Sequence, residues 1–269
     1  MTDLATVQPP LQPELAGPPG AHVVMTGRGC GDVSLSHDPA AAMVNRRRAL
    51  RRIDAALADA VFAEQVHGAR VSHVGADDRG RGAYDPGGAI GGADALVTTD
   101  FGVALCIQTA DCVPVALAAG GDRGGVGAVH AGRQGVGAGV VGTAVAALRD
   151  VSGAACGQVS AVIGPAIGGC CYEVPAELAA QACAASPAAP ATTRWGTTGL
   201  DLPAAVRAQL QAVGVKQVRS VGACTHCDDD RWFSHRAWQA DAAPPGRQML
   251  AVLAAAPVGP GATTPLDSR

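Results

Sequence analysis

Apolar residues fall into short blocks separated by glycine, proline and acidic residues, a pattern that predicts strands over residues 61–66, 70–74, 95–98, 103–107, 113–118 and 126–130. Several of the gaps between these blocks are too short for a crossover helix, so the sheet is expected to be mixed or antiparallel. Asp38 before Pro39 is a helix start, and Leu50, Ile53 and Leu57 then recur at helical spacing. Further helices are predicted from Gly135 through Leu148, from near Pro175, and over residues 202–213. Helices segregated from a large mixed sheet indicate an α+β fold. The cluster Gly124, Gly125 and Gly127 leads into a strand, not a helix, so it fails as a dinucleotide-binding loop.

Composition narrows this picture. A chain of 269 residues with 48% hydrophobic residues can bury a large core. Residues 21–255 are read as one catalytic domain between a proline-rich, aperiodic segment (1–20) and a similar tail (256–269), both expected to be flexible. A net charge of −3 and 3% aromatics argue against nucleic acid as a partner. No apolar run is long enough to span a membrane and the start has no secretory pattern, so a cytoplasmic protein, expected to be a monomer, is the reading. Its nine cysteines are then reduced thiols.

Three polar junctions interrupt the apolar blocks: EQVHG at residues 64–68, TADC at 109–112 and VHAGRQG at 129–135. Strand ends facing a cleft can aim ligands rigidly. His67, Cys112 and His130 offer two imidazoles and one thiolate, which suit zinc and leave a fourth position open, as catalytic coordination requires. The alternative is that the histidines are satisfied strand-end residues and Cys112 a small hydrophobe. Asp111 either orients a ligand and assists proton transfer or faces solvent. Gly132 and Gly135 precede a helix, where backbone N–H groups either receive an anion such as phosphate or form an ordinary turn. Arg46, Arg47 and Arg48 are either a solvated helix face or include a site residue. Cys224 and Cys227 form a CxxC with no second pair at finger spacing and read as ordinary thiols; adjacent Cys170 and Cys171 read as packing residues. Cys30, Cys106, Cys156 and Cys183 have no informative neighbours.

EQVHG, ADALVTTDFGVALCIQTADCVPV, VGAVHAG, IGPAIGGCCYEV and CTHCDDDRWFSHR stand in the order and approximate spacing of the YfiH-like, laccase-domain (polyphenol oxidase) family. The chain resembles that family from His22 to Met249. The resemblance implies an α/β/β/α layered sandwich with mixed sheets and a zinc site at His67, Cys112 and His130, a site that copper could also occupy. It implies phosphorolysis of the purine nucleosides adenosine, inosine and methylthioadenosine, with adenosine deamination beside it. Arg28, Asn45 and Arg46 match family positions that would contact anion or substrate, while Arg47 and Arg48 stay on the surface.

The chain departs from the family in three places. HAGWRG is replaced by His130, Ala131, Gly132, Arg133, Gln134 and Gly135; the Tyr-Arg-Arg ending becomes Ser234, His235, Arg236 and Ala237; and one residue is inserted around Cys30. Rival readings are a metal-free hydrolase using Cys112 with a histidine base, a copper phenol oxidase, and a metal-binding protein without turnover.

Overall fold

The computed structural model describes residues 17–121 and 123–255, the side chains of residues 156 and 183–185 excepted. Apart from residues 17–20, the ends expected to be flexible lie outside the described residues.

Along the chain run β1 (Ala21–Met25), α1 (Pro39–Leu50), β2 (Ala60–Phe62), β3 (Val71–His73), β4 (Ala95–Thr98), β5 (Ala104–Thr109), β6 (Val113–Ala119) and β7 (Gly125–Ala131). There follow α2 (Arg133–Gly137), α3 (Val140–Ser152), β8 (Val159–Ile163), α4 (Ala176–Ala185), β9 (Pro190–Thr192), β10 (Thr198–Leu200), α5 (Leu202–Ala212), β11 (Gln217–Ser220), α6 (His235–Gln239) and β12 (Gln248–Ala254). A four-stranded sheet has the order β1-β12-β5-β2 and a six-stranded sheet the order β11-β8-β6-β7-β4-β3. Parallel pairs (β2 with β5, β3 with β4, β8 with β11) sit among antiparallel ones, so both sheets are mixed.

Alternation along single strands builds the layers. On β5, Leu105 and Ile107 join a core shared with Ala116 and Ala118 of the other sheet, whereas Ala104 and Cys106 face the core under α1 with Ala49 and Leu50. On β6, Val113, Val115 and Leu117 pack with Val141, Ala144 and Leu148 of α3 and Val206 and Leu210 of α5. The order is therefore helix, four-stranded sheet, six-stranded sheet, helices: the α/β/β/α sandwich. Central strands buried on both faces explain why the apolar blocks in the sequence are continuous and not alternating.

The Asp38 carboxylate caps the Ala41 N–H at 3.0 Å, as the Asp-Pro start predicts. The helical spacing through Ile53 and Leu57 does not continue one helix. α1 ends at Leu50, a 3₁₀ turn follows, and Asp54 adopts a left-handed conformation (φ 56°). The helix expected after Gly135 is divided: α2 begins earlier, at Arg133, and Gly139 at φ 79° separates it from α3. The strand expected over 61–66 stops at Phe62, because Gln65 and His67 turn the backbone to positive φ. No helix among the described residues is long and apolar enough to cross a membrane.

Candidate metal centre and active-site cleft

The register of β4 against β7 pairs Ala95 with Val129, which brings Asp94 opposite His130. Period-two alternation puts both side chains on the face toward the other sheet, with Leu96 and Ala128. Asp94 is 0% and His130 2% exposed. Asp94 Oδ1 accepts from His130 Nδ1 at 2.8 Å and from the His67 backbone N–H at 2.9 Å; Oδ2 accepts from the Gly68 N–H at 2.7 Å. One buried carboxylate therefore fixes one imidazole directly and the loop carrying the second. Burial opposes ionisation of Asp94, but the hydrogen bonds from His130, Gly68 and His67 and the His130 charge outweigh it and lower its pKa.

Cys112 closes the short turn between β5 and β6. Its Sγ lies with ring nitrogens of His67 and His130 in a group whose ligand atoms are all within 4.8 Å of one another. The two rings meet edge to face at 4.9 Å between centroids. Burial alone would raise the thiol, yet the hydrogen bonds and charges of His130 and His67 bring it down to about 6. Burial would lower His130, but Asp94 and Cys112 raise it to about 9. Both shifts favour a thiolate beside an imidazolium when no cation is bound. The same donors, two nitrogens and a soft sulfur with Nδ1 of His130 already committed to a carboxylate, fit a zinc or copper ion. A Cβ at Gly132 would stand 2.8 Å from His67 Cδ2 and 3.3 Å from Cys112 Sγ, so this cradle excludes larger residues. At Gly135 it would stand 2.6 Å from the Gly68 carbonyl, which explains how the His67 loop lies against α2.

The three residues open onto a cleft of about 560 Å³ that also includes Ser34, His37, Arg133, Gln134, Tyr172, His235, Trp238 and Arg247 in its wall. Asp32 shapes one rim: its carboxylate accepts from the N–H groups of Ser34 and Arg247 and from His37 Nδ1. Arg133, the first of the two residues that depart from the family pattern, is in this wall and influences Tyr172. Burial raises the Tyr172 pKa, with the Arg133 charge opposing.

The other sequence candidates are placed less directly. Asp111 belongs to the cleft, at φ 80°, but its oxygens accept from Thr225 Oγ1 at 2.6 Å and from the Arg236 N–H at 2.7 Å. It ties the turn that carries Cys112 to the Thr225 loop and to the first turn of α6. Asn45 donates to the Asp32 carbonyl at 2.8 Å and so acts on the rim through Asp32. Arg46, buried at 2% exposure, stacks over Phe62 and donates to the carbonyls of Val33, Gly82 and Ala83. Burial lowers its pKa to about 10. Arg28 lies over the Phe233 ring and donates from Nε to the Trp232 carbonyl. Asn45, Arg46 and Arg28 are not among the residues lining the cleft, contrary to the contact role that the resemblance implies.

Asp94 was not a sequence candidate. Its signal was a single acid between Ala93 and Ala95 at the entry to an apolar strand. The reading of the remaining cysteines also changes, because Cys170 and Cys171 converge with Cys224 and Cys227 from a different loop.

The family model described as multi-copper polyphenol oxidoreductase laccase matches residues 29–255. A purine nucleoside phosphorylase of Streptomyces coelicolor is 42% identical over 203 residues, covering 76% of this chain and 80% of that one. One from Corynebacterium glutamicum is 38% identical over 199 residues, covering 74% and 77%. Among solved structures, YlmD from Geobacillus stearothermophilus superposes with a TM-score of 0.80 at 32% identity, covering 91% of this chain and 99% of that one. Bacillus licheniformis YfiH gives 0.76 at 27% identity, covering 87% and 93%.

Proposed function

We propose that this chain, which belongs to the multi-copper polyphenol oxidoreductase laccase family, is a zinc-dependent purine nucleoside phosphorylase acting on adenosine, inosine and methylthioadenosine, with adenosine deaminase activity at the same site. The observation that carries the reading is the convergence of His67, Cys112 and His130 in the lining of a cleft that also holds arginines and aromatic rings. Relatives 42% and 38% identical to this chain over the aligned residues bear the name purine nucleoside phosphorylase, which supports the substrate class.

In phosphorolysis a phosphate oxygen bonds to the anomeric carbon, the carbon–nitrogen bond to the purine breaks, and its electron pair leaves with the base, which takes up a proton. Arg133 and Arg247 hold the phosphate charge. Tyr172 and Trp238 supply aromatic surface for the purine. Asp94 keeps the Nδ1 proton of His130 engaged and directs Nε2 to the site. Zinc held by His67, Cys112 and His130 would supply Lewis acidity and a bound water of near-neutral pKa, the reagent that deamination needs.

The thiolate-imidazolium pair of Cys112 and His130 also favours a second reading, a metal-free cysteine hydrolase. Incubating metal-assayed protein with adenosine, with and without phosphate, separates these. Phosphate-dependent release of adenine supports phosphorolysis and inosine supports deamination; neither product from fully metallated protein overturns the proposal. Activity that survives chelation but not alkylation identifies the hydrolase.

A further inference from the structure

The geometry points to a second metal site, distinct from the cleft, in which Cys170, Cys171, Cys224 and Cys227 bind one zinc ion through four thiolates. The four sulfurs lie within 4.8 Å of one another. Cys227 Sγ is 3.6 Å from Cys170 Sγ and 3.4 Å from Cys171 Sγ. Tetrahedral zinc with bonds of about 2.3 Å spaces its sulfurs about 3.8 Å apart, so the thiols already stand close to the spacing the ion requires.

The fold explains why two distant segments meet there. β8 and β11 are parallel neighbours, and the loops that follow them leave from the same sheet end. A parallel bridge between Ala166 and Cys224 extends the pairing into the loops. The turn begun at Gly168, whose carbonyl accepts from the N–H groups of Cys171 and Tyr172, folds the adjacent cysteines toward the CxxC. Gly168 N–H donates to Cys224 Sγ at 3.3 Å, and the Arg194 guanidinium lies 3.7 Å from Cys227 Sγ. Both are donors that thiolates in a metal site use.

Packing is a poor account of this cluster. Only Cys171 of the four is buried; Cys170 and Cys227 are exposed and Cys224 is partly buried, so burial does not account for bringing the other three to it. An all-sulfur set with no open position selects a thiophilic ion and indicates a structural role. Its consequence reaches the cleft, because Tyr172 follows Cys171 in the wall and Thr225 follows Cys224 and holds Asp111. The ion clamps the loops that position both.

The test is zinc content of the full-length protein, prepared reduced and without oxygen, for the wild type, Cys112→Ser and the double variant Cys170→Ala with Cys227→Ala. The double variant is expected to lose one zinc equivalent relative to wild type. Cobalt-loaded Cys112→Ser should show the intense sulfur-to-metal absorption of a thiolate-rich tetrahedral site, and the double variant should lose most of it. If the double variant does not fold, alkylation of the wild type decides, with zinc expected to protect all four thiols relative to chelator-treated protein. Equal zinc content in wild type and double variant, unprotected thiols in loaded protein, or an intact mass two hydrogens light from a disulfide among the four would each overturn the proposal.

Discussion

Asp94 lies directly across the β4–β7 ladder from His130 and accepts its Nδ1–H at 2.8 Å while the same carboxylate accepts the backbone N–H groups of His67 and Gly68. Replacing it by Asn turns Oδ2 into a donor facing the Gly68 N–H and removes the charge that raises His130. Asp94→Asn is expected to weaken metal binding about 10- to 100-fold, read by competition with a chelator of known affinity. Unchanged affinity would mean that the carboxylate serves folding alone.

The Cys112–His130 pair sets a pH signature for the metal-free protein. His130, raised from 6.5 to about 9, contributes stability that is complete below 6.5 and lost as pH rises through about 9. Cys112, lowered from 9.0 to about 6, contributes stability that is complete above 9.0 and lost as pH falls through about 6. The two slopes oppose each other, because folding moves a proton from sulfur to imidazole, so between pH 6.5 and 9 the pair leaves Tm level. Alkylation of Cys112 should instead have its midpoint near pH 6. Metal binding at pH 7.5 should release one proton from this pair, that of His130, measurable by calorimetry in buffers of different ionisation enthalpy.

Gly132→Ala places a methyl group 2.8 Å from the His67 ring and close to Cys112 Sγ. The His67 backbone is held by Asp94, so the ring can relieve the clash only by turning away from Cys112 and His130. Loss of metal stoichiometry at the His67 site with a nearly unchanged far-ultraviolet spectrum is the expected result. Gly135→Ala meets the Gly68 carbonyl and should destabilise the whole protein by about 1–3 kcal/mol, seen in denaturant unfolding.

Arg133→Gln removes a charge from the cleft wall without emptying it. KM for phosphate should rise about 10-fold or more, the scale of one lost charge-assisted hydrogen bond, with a much smaller change in KM for the nucleoside. Equal rises in both constants would assign Arg133 to the purine end.

Arg46→Met tests whether this arginine touches substrate. Three backbone carbonyls lose a buried donor, each loss costing on the order of 1–3 kcal/mol, so a marked fall in Tm is expected while KM in the remaining folded protein stays near wild type. A KM effect with intact stability would restore the contact role.

His67, Cys112 and His130 were legible in the sequence because their chemistry is unusual at the borders of apolar blocks, and the ordered motifs made the layered sandwich legible as well. Asp94 was hidden because its role depends on a strand register, which couples residues 36 positions apart. That Arg46 turns inward was not visible in the sequence, because a run of three arginines does not say which one does; the helix phase and the Phe62 ring decide that. The convergence of the four outer cysteines was not visible in the sequence, because spacing within one segment says nothing of a second pair that arrives beside a neighbouring parallel strand.

What the sequence by itself determined is therefore local: the strand blocks, the Asp38 cap, and the residue types able to bind a metal. Those depend on periodicity, dihedral preference and donor chemistry, which each short segment carries alone. Only the tertiary structure decided which carboxylate orients the candidate ligands, which of the other cysteines converge and which arginine is spent inside the fold. Such relations arise from β pairing and layer packing between distant segments, where one shift of register would turn Asp94 away from His130.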